Sequence, residues 1–426
     1  MYVLPALTYT QPKLVADALQ WRHSILPQAR ERAAQLGLRG AAMPWRTIHG
    51  EECSGYWPAG TASMHVNAAV ADAVRRYVLA TGDDAFERDY GLELLAEAAR
   101  LWVSFGYHDH DGRFRIDGVT GPDEYSALVD NNAYTNLMAQ SNLRAAVAAA
   151  ERHDDAARRL GIRTSEIAAW RRAAESVYVR YDRHLGVHSQ DQDFTTHDRW
   201  DFERTKPDDY PLMLHHPYLQ LYCRQVVKQA DLVMALFTRG DAFSAEEKLR
   251  NFDYYEQITV RDSSLSACIQ AIVAAEVGHL QLAYDYLAEA AFMDLRDLAH
   301  NVRDGLHIAS LGGALMAAMC GFGGLRDHDR RLTFAPRLPG TLRRLRFPVV
   351  FRGRRLVVEV HPDAATYRLG DDDEPLEITH WGEDVALRPG QPERREIPPT
   401  PELDPPRQPP GREPERAKRR LRIAAW

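Results

Sequence analysis

The sequence holds only four cysteines, Cys53, Cys223, Cys268 and Cys320, far apart and never spaced CxxC, which argues against a zinc ribbon and against a disulfide-built scaffold. Thiols so placed suit a reducing compartment, and a cytoplasmic location is expected. Long apolar runs are missing as well. None reaches the roughly 18 residues of a membrane span, and the N-terminus shows no basic segment followed by an apolar one. A positive field is also absent: 53 basic against 60 acidic residues give a net charge of −7, and the one dense Lys/Arg cluster lies at the extreme C-terminus. Neither nucleic acid nor a membrane is therefore expected as a partner. Finally, no segment before residue 330 alternates with period two, so strands are not expected there.

What is present is helical periodicity. Leu14, Ala18, Trp21 and Ile25 form one stripe over 13–36, with Gly37 as a stop. Helices are expected again over 65–81, 91–105, 136–152, 164–181, 217–237, 265–273 and 280–287. After GFGGLRDHD the pattern changes. LTFAP, LRRLRFPVVFRG, RRLVVEVHP and ATYRLG are short β-branched or aromatic runs between Pro and Gly, predicting a small antiparallel β domain over 329–387. Residues 388–426, with ten prolines between Pro389 and Pro414 and almost nothing apolar, are expected to be a disordered tail.

Two loops concentrate polar chemistry. GVTGPDEYSALVDNNAYTNLM, 118–138, packs a turn signal, the acids Asp123, Glu124 and Asp130, and two asparagines ahead of a helix, for which Asn131 or Asn132 is the N-cap. Catalytic groups are often mounted on such a loop. The loop over 40–65 carries Trp45, His49, Glu51, Glu52, Tyr56, Trp57 and His65. Aromatic faces beside acids suit a sugar, so Trp45 and Glu51 are candidate substrate contacts; the plainer reading is that the tryptophans cap the core. Taken alone, Ser263 and Ser264 read as a helix cap, His307 as a packed loop histidine, Lys228 and Gln229 as a solvated helix face, and Glu256 as a salt-bridged acid.

PWRTIHGEE, GPDEYSALVDNNAYTNLMAQ, KQADLVMAL, YYEQITVRDSSLS and DGLHIASLGG, in this order and spacing, resemble the motifs of glycoside hydrolase family 65. This is the family of maltose, trehalose and kojibiose phosphorylases and some related hydrolases. The resemblance runs from Met1 to about residue 370. It implies a mainly α chain, an (α/α)6-barrel catalytic domain over 1–328 followed by the small antiparallel β-sheet domain. It also implies inverting phosphorolysis of an α-linked glucosyl disaccharide, of trehalose, maltose, kojibiose or nigerose type, to β-glucose 1-phosphate. An inverting α-glucoside hydrolase of the same family and a catalytically inactive fragment are the alternatives.

On this resemblance Glu124 is the general acid, which burial among aromatics such as Tyr125 would keep protonated. Lys228, Gln229 and Glu256 match glucosyl-binding positions. Ser263, Ser264, His307, Ser310 and Gly312 match a phosphate site, with backbone N–H groups beside glycines at expected helix starts. No cofactor and no metal is implied, inorganic phosphate being a co-substrate, and a homodimer is left open. The chain departs from the family at Ser126, where His is common, and before Met1, where a Phe-Trp-Asp-Thr-Glu segment is expected. The N-terminal β-sandwich and linker of the family are also missing. The chain therefore reads as the C-terminal half of a family member, with an open barrel, an exposed apolar wall, poor solubility and no activity by itself.

Overall fold

Apolar side chains spaced three and four apart become helices in the computed structural model, which describes residues 1–55, 61–328 and 331–414. Tyr56, Trp57 and residues 415–426 lie outside the described residues. Two units divide the chain: the first is Met1, Gln11–Trp200 and His216–Ala235, the second Tyr2–Thr10, Asp201–His215 and Leu236–Trp426.

In the first unit the helices of eight residues or more are α1 (Pro12–Ser24), α2 (Leu26–Gln35), α3 (His65–Thr81), α4 (Leu92–Phe105), α5 (Ala133–Arg152) and α6 (Thr164–Glu175). The single stripe expected over 13–36 is cut at Ile25, because Pro27 stands in the first turn of α2 and has no N–H with which to continue α1. α3 ends at Gly82, whose left-handed backbone lets its N–H reach the Val78 carbonyl at 2.8 Å. α5 is the central helix, with α3, α4 and α6 packed on it around the buried Trp102, Tyr134 and Trp170. The Trp102 indole donates to Asn142 at 2.8 Å, so this polar atom costs the core little.

The helix expected over 217–237 does not form as one piece. A short helix at Tyr218–Tyr222 is followed by an extended stretch and only then by α7 (Asp231–Thr238). The backbone N–H groups of Lys228 and Asp231 are claimed by the Asp123 and Gln190 side chains, and this overrides the apolar periodicity.

The second unit contains α8 (Ala245–Glu256), α9 (Ser266–Val277), α10 (Leu280–Ala291) and α11 (Ile308–Met316). α9 packs against α8, α10 and the 317–322 segment, and α11 against α10 and the helix Val3–Thr8. Ile308, Leu311 and Leu315 leave one face of α11 exposed. The strands of this unit are β1 (Leu332–Phe334), β2 (Leu345–Phe351), β3 (Arg354–Val360), β4 (Ala364–Leu369), β5 (Leu376–His380), β6 (Glu383–Leu387) and β7 (Glu393–Glu396); before residue 330, where none was expected, six strands of two residues each also form among the described residues. Strands β1 to β7 build an antiparallel sheet of order β7-β4-β3-β2 and a second of order β6-β5-β1, whose β5–β1 pair is parallel. Among the described residues no helix is long and apolar enough to cross a membrane.

The segment after Leu387 departs from the expected disorder over its described part. β7 pairs with β4, the Ile397 N–H donates to Asp363 O at 2.9 Å, and the chain then runs as a strap along the second unit. Gln408 donates to Glu256 at 3.1 Å, and Arg412 donates to Val260 O at 2.6 Å and to Asp262 at 3.0 Å while lying 4.5 Å from the Tyr210 ring centroid. Composition misleads here because it weighs only the apolar surface of the tail itself. Pairing to a sheet edge and charged hydrogen bonds to a preformed surface replace it, and prolines lose less entropy on ordering. Replacing Arg412 by Ala should lower unfolding stability by about 1–3 kcal/mol, since the buried Asp262 loses a charged donor. An unchanged urea midpoint would show that the strap is not docked.

Candidate active site

The 118–132 loop is closed at its neck. Val119 and Val129 exchange backbone hydrogen bonds at 2.9 and 2.8 Å, and the Gly118 N–H donates to Asp130 at 2.9 Å. Of the two candidate caps, Asn132 is the N-cap of α5, accepting from the Thr135 N–H at 2.9 Å. Asn131 instead takes the left-handed conformation, φ 53°, and its amide donates to Asp117 at 3.0 Å.

Beneath the loop lie two enclosed carboxylates. Asp123 accepts from the N–H groups of Tyr125 (3.2 Å) and Lys228 (3.0 Å) and from the Gln190 amide (2.9 Å), while its own N–H donates to Asp231 at 2.7 Å. Asp231 also accepts from the Asn132 amide at 2.8 Å, and the Gln190 carbonyl takes the Asp231 N–H at 3.0 Å. Both aspartates are fully buried. Burial pushes each above the ordinary aspartate range, and the Asp123 charge pushes Asp231 further. Gly121 is obligatory, because a Cβ there would stand 1.9 Å from an Asp231 carboxylate oxygen.

Glu124 stands above this base. Its side chain is 22% exposed, not buried as expected, and pairs with the Lys228 ammonium. Tyr125, the ring expected to enclose it, is itself buried. Lys228 and Gln229 lie in a loop, not on a solvated helix face, and the Gln229 amide donates to the Pro122 carbonyl. Ser126 turns inward, 4% exposed, and accepts from Gln190 at 3.2 Å.

In the other polar loop, Trp45 is half-buried with the Arg46 guanidinium 4.8 Å from its ring centroid, and Glu51 is exposed. The adjacent Glu52 organises the loop, accepting from the N–H groups of Trp45 (2.6 Å) and Ser54 (2.8 Å). His65 contacts the Thr120 carbonyl at 3.0 Å; burial lowers it to about 4, so a neutral ring props the loop.

The remaining candidates belong to the second unit. Glu256 ends α8, 1% exposed, and accepts from the Tyr286 hydroxyl, from Gln270 at 2.7 Å and from Gln408 at 3.1 Å. All three donors are neutral, so the salt-bridged reading does not hold, and burial raises its pKa. Arg261 pairs instead with Glu289 at 3.2 Å. Ser263 and Ser264 are half-buried in the turn before α9, the Ser263 hydroxyl accepting from the Leu265 N–H at 3.2 Å. His307 directs both its N–H (3.0 Å) and Nδ1 (2.6 Å) to Asp294, a bond that holds Asp294 below the usual carboxylate range.

Ser310 and Gly312 are placed otherwise than expected. α11 begins at Ile308, which puts Gly312 beyond its first turn, where its N–H is internal to the helix. The Ser310 hydroxyl is fully buried and donates to Ala290 O at 3.1 Å. Small residues here serve packing: a Cβ on Gly312 would lie 3.1 Å from Tyr2 O, and one on Gly313 2.4 Å from the Cys268 sulfur.

Sequence reasoning missed Asp231 and Gln190. An acid at the start of an apolar helix reads as a cap, and nothing local marks Gln190. Both enclosed carboxyls hold protons more tightly folded than unfolded, so stability should fall as pH rises from about 4 through neutrality. In Asp231→Asn, which cannot ionise, the decline in melting temperature between about pH 5 and about pH 8 should be shallower. Parallel profiles for the two proteins would show that Asp231 is ionised throughout.

Comparison with known proteins agrees with this layout. Residues 1–316 match the glycosyl hydrolase family 65 central catalytic domain, and residues 325–387 match its C-terminal domain. An uncharacterised glycosyl hydrolase of Mycobacterium tuberculosis is 54% identical over 97% of this chain and 52% of its own length. An α,α-trehalose phosphorylase of Geobacillus stearothermophilus is 44% identical over 89% of this chain and 53% of its own. A solved structure described as a putative kojibiose phosphorylase from the human microbiome superposes with a TM-score of 0.85 at 27% identity, covering 92% of this chain and 53% of that one. The chain thus spans about half the length of the relatives it matches. With helices, sheets and both domain matches in agreement, the chain belongs to glycosyl hydrolase family 65.

Proposed function

We propose that this chain carries the general acid and sugar contacts of an inverting disaccharide phosphorylase. The observation that supports this most is the Glu124–Lys228 pair, partly exposed above two enclosed carboxyls, Asp123 of the same loop and Asp231 at the start of α7, both engaged by backbone or amide donors. Neither enclosed carboxyl is open to solvent, and the exposed Asp130 of the loop is engaged by the Gly118 N–H at its neck. A hydrolytic site of the inverting kind needs a second exposed carboxylate to activate water, whereas phosphate arrives as an anion already.

In the proposed reaction Glu124 protonates the glycosidic oxygen, and a phosphate oxygen attacks the anomeric carbon from the opposite face. The C–O bond to the leaving sugar breaks and a C–O–P bond forms with inversion. β-Glucose 1-phosphate results, and the freed sugar keeps the proton from Glu124. Sugar hydroxyls that draw the Lys228 ammonium away leave the carboxyl free for this delivery. Gln229 steadies the Pro122 carbonyl beside it. Trp45 and Glu51 border the sugar, whereas Glu256 is enclosed and already engaged by Gln270, Tyr286 and Gln408. By the family resemblance Ser263, Ser264 and His307 are the phosphate contacts, and Asp294 engages Nδ1 of His307. Ser310 and Gly312 take no part. The likeness to a trehalose phosphorylase makes trehalose the first substrate to test, with kojibiose, maltose and nigerose after it.

Glu124→Gln should cut turnover by roughly 10²–10⁴-fold with little change in sugar binding. His307→Ala should raise the Michaelis constant for phosphate well above any effect on that for the disaccharide. Release of free glucose at full rate without phosphate would replace the phosphorylase reading by hydrolysis.

A further inference from the structure

Apart from these residues, the second unit carries an open cavity of about 590 Å³, lined among others by Arg326, Arg331, Arg337, Thr333, Thr379 and Trp381. Its size is within the range of small-molecule sites, and its charge does not balance. Glu276 is already engaged twice, by Lys248 and by Arg326, each at 2.6 Å. Burial alone would raise this carboxyl, but the two cations hold it at about 2. Arg331 pairs with Asp384 at 3.3 Å. Arg337 has no carboxylate partner among the described residues. It donates to Ala335 O at 3.0 Å and lies 4.2 Å from the Trp381 ring centroid, and burial lowers it to about 10.

Two further donors lack acceptors. The Arg326 Nε–H and the Trp381 indole N–H are buried without a hydrogen-bond partner. Buried donors are ordinarily paired, and exceptions call for a reason. The backbone adds a second irregularity, since Trp381 holds φ 49° ahead of Gly382 at φ 86° in the two-residue turn joining β5 to β6. Asn or Gly is preferred at the first of these positions, and a bulky ring there is strained. Strain of this kind persists where the side chain has a task. Thr333 and Thr379, register partners on β1 and β5, bring two hydroxyls side by side in the same lining.

We infer that this cavity is a binding site for a small organic oxyanion, a phosphate ester or a carboxylate, whose charged head lies between Arg326 and Arg337 and accepts from the Trp381 indole. A guanidinium fork suits either head group. The threonine hydroxyls contact the rest of the molecule. This inference does not depend on the proposed reaction, because none of its residues serves there.

The test is calorimetric titration of the protein with glucose 6-phosphate, citrate and neutral glucose, beside melting curves without ligand. Saturable binding of glucose 6-phosphate or citrate is expected, and none of glucose; which of the two binds separates phosphate esters from carboxylates. Arg337→Gln should weaken that binding by roughly 10–100-fold, the effect of losing a charged hydrogen bond, while the ligand-free melting temperature stays the same or rises. Trp381→Phe, which keeps the ring, should also weaken binding. The inference fails if neither anion binds, or if binding survives Arg337→Gln. It fails equally if binding is lost only in His307→Ala, or if Arg337→Gln lowers the ligand-free melting temperature, which would mark Arg337 as structural.

Discussion

Two carboxylates shut away from water, Asp123 and Asp231, are the constraint on which the candidate acid depends. Through Gln190, Asn132 and the backbone N–H groups of Tyr125 and Lys228 they tie the 118–132 loop to the segment that carries Lys228 and Gln229. Two buried acids in one network are unfavourable unless every lone pair is met. The donors here are mostly backbone and amide groups, which cannot leave. Glu124 is consequently positioned by an arrangement that tolerates little movement, and Gly121 is its tightest point.

Much of the fold could be read from local pattern, since helix stripes and alternating strands are short-range properties. α3, α4 and α5 lie close to their expected spans, and Asn132 caps α5 as one of two candidates. Apart from the local break at Pro27, the failures share a cause, which is contact between residues far apart in sequence. The 217–237 stretch is apolar at helical spacing, yet Asp123, more than a hundred residues away, takes the Lys228 N–H. Asp231 and Gln190 had no signature because their partners are equally remote. Ser310 and Gly312 look like anion donors in a string of letters; only the neighbouring Ala290 carbonyl and Tyr2 backbone show them to be packing residues. The loop that carries Glu124 was marked by its motif, and Lys228 by another, but their pairing was not.

Buried carboxyls are handled in two ways. Around Asp123 and Asp231 burial works against ionisation, whereas around Glu276 two cations overcome it. Glu256 stands with the former: fully enclosed, with only neutral donors, and with its pKa raised.

The strap also bears on how the chain matures at the ribosome. Gln408 meets Glu256 across 152 residues of sequence. At typical synthesis rates of about 5–20 residues per second, roughly 8–30 seconds pass between the appearance of the acid and that of its third donor. During that interval the end of α8 holds a carboxyl with one acceptor position unmet, in contact with water that the finished strap excludes. The second unit is thus completed from its own far end, and the last contacts to form are those that close over its most buried acid.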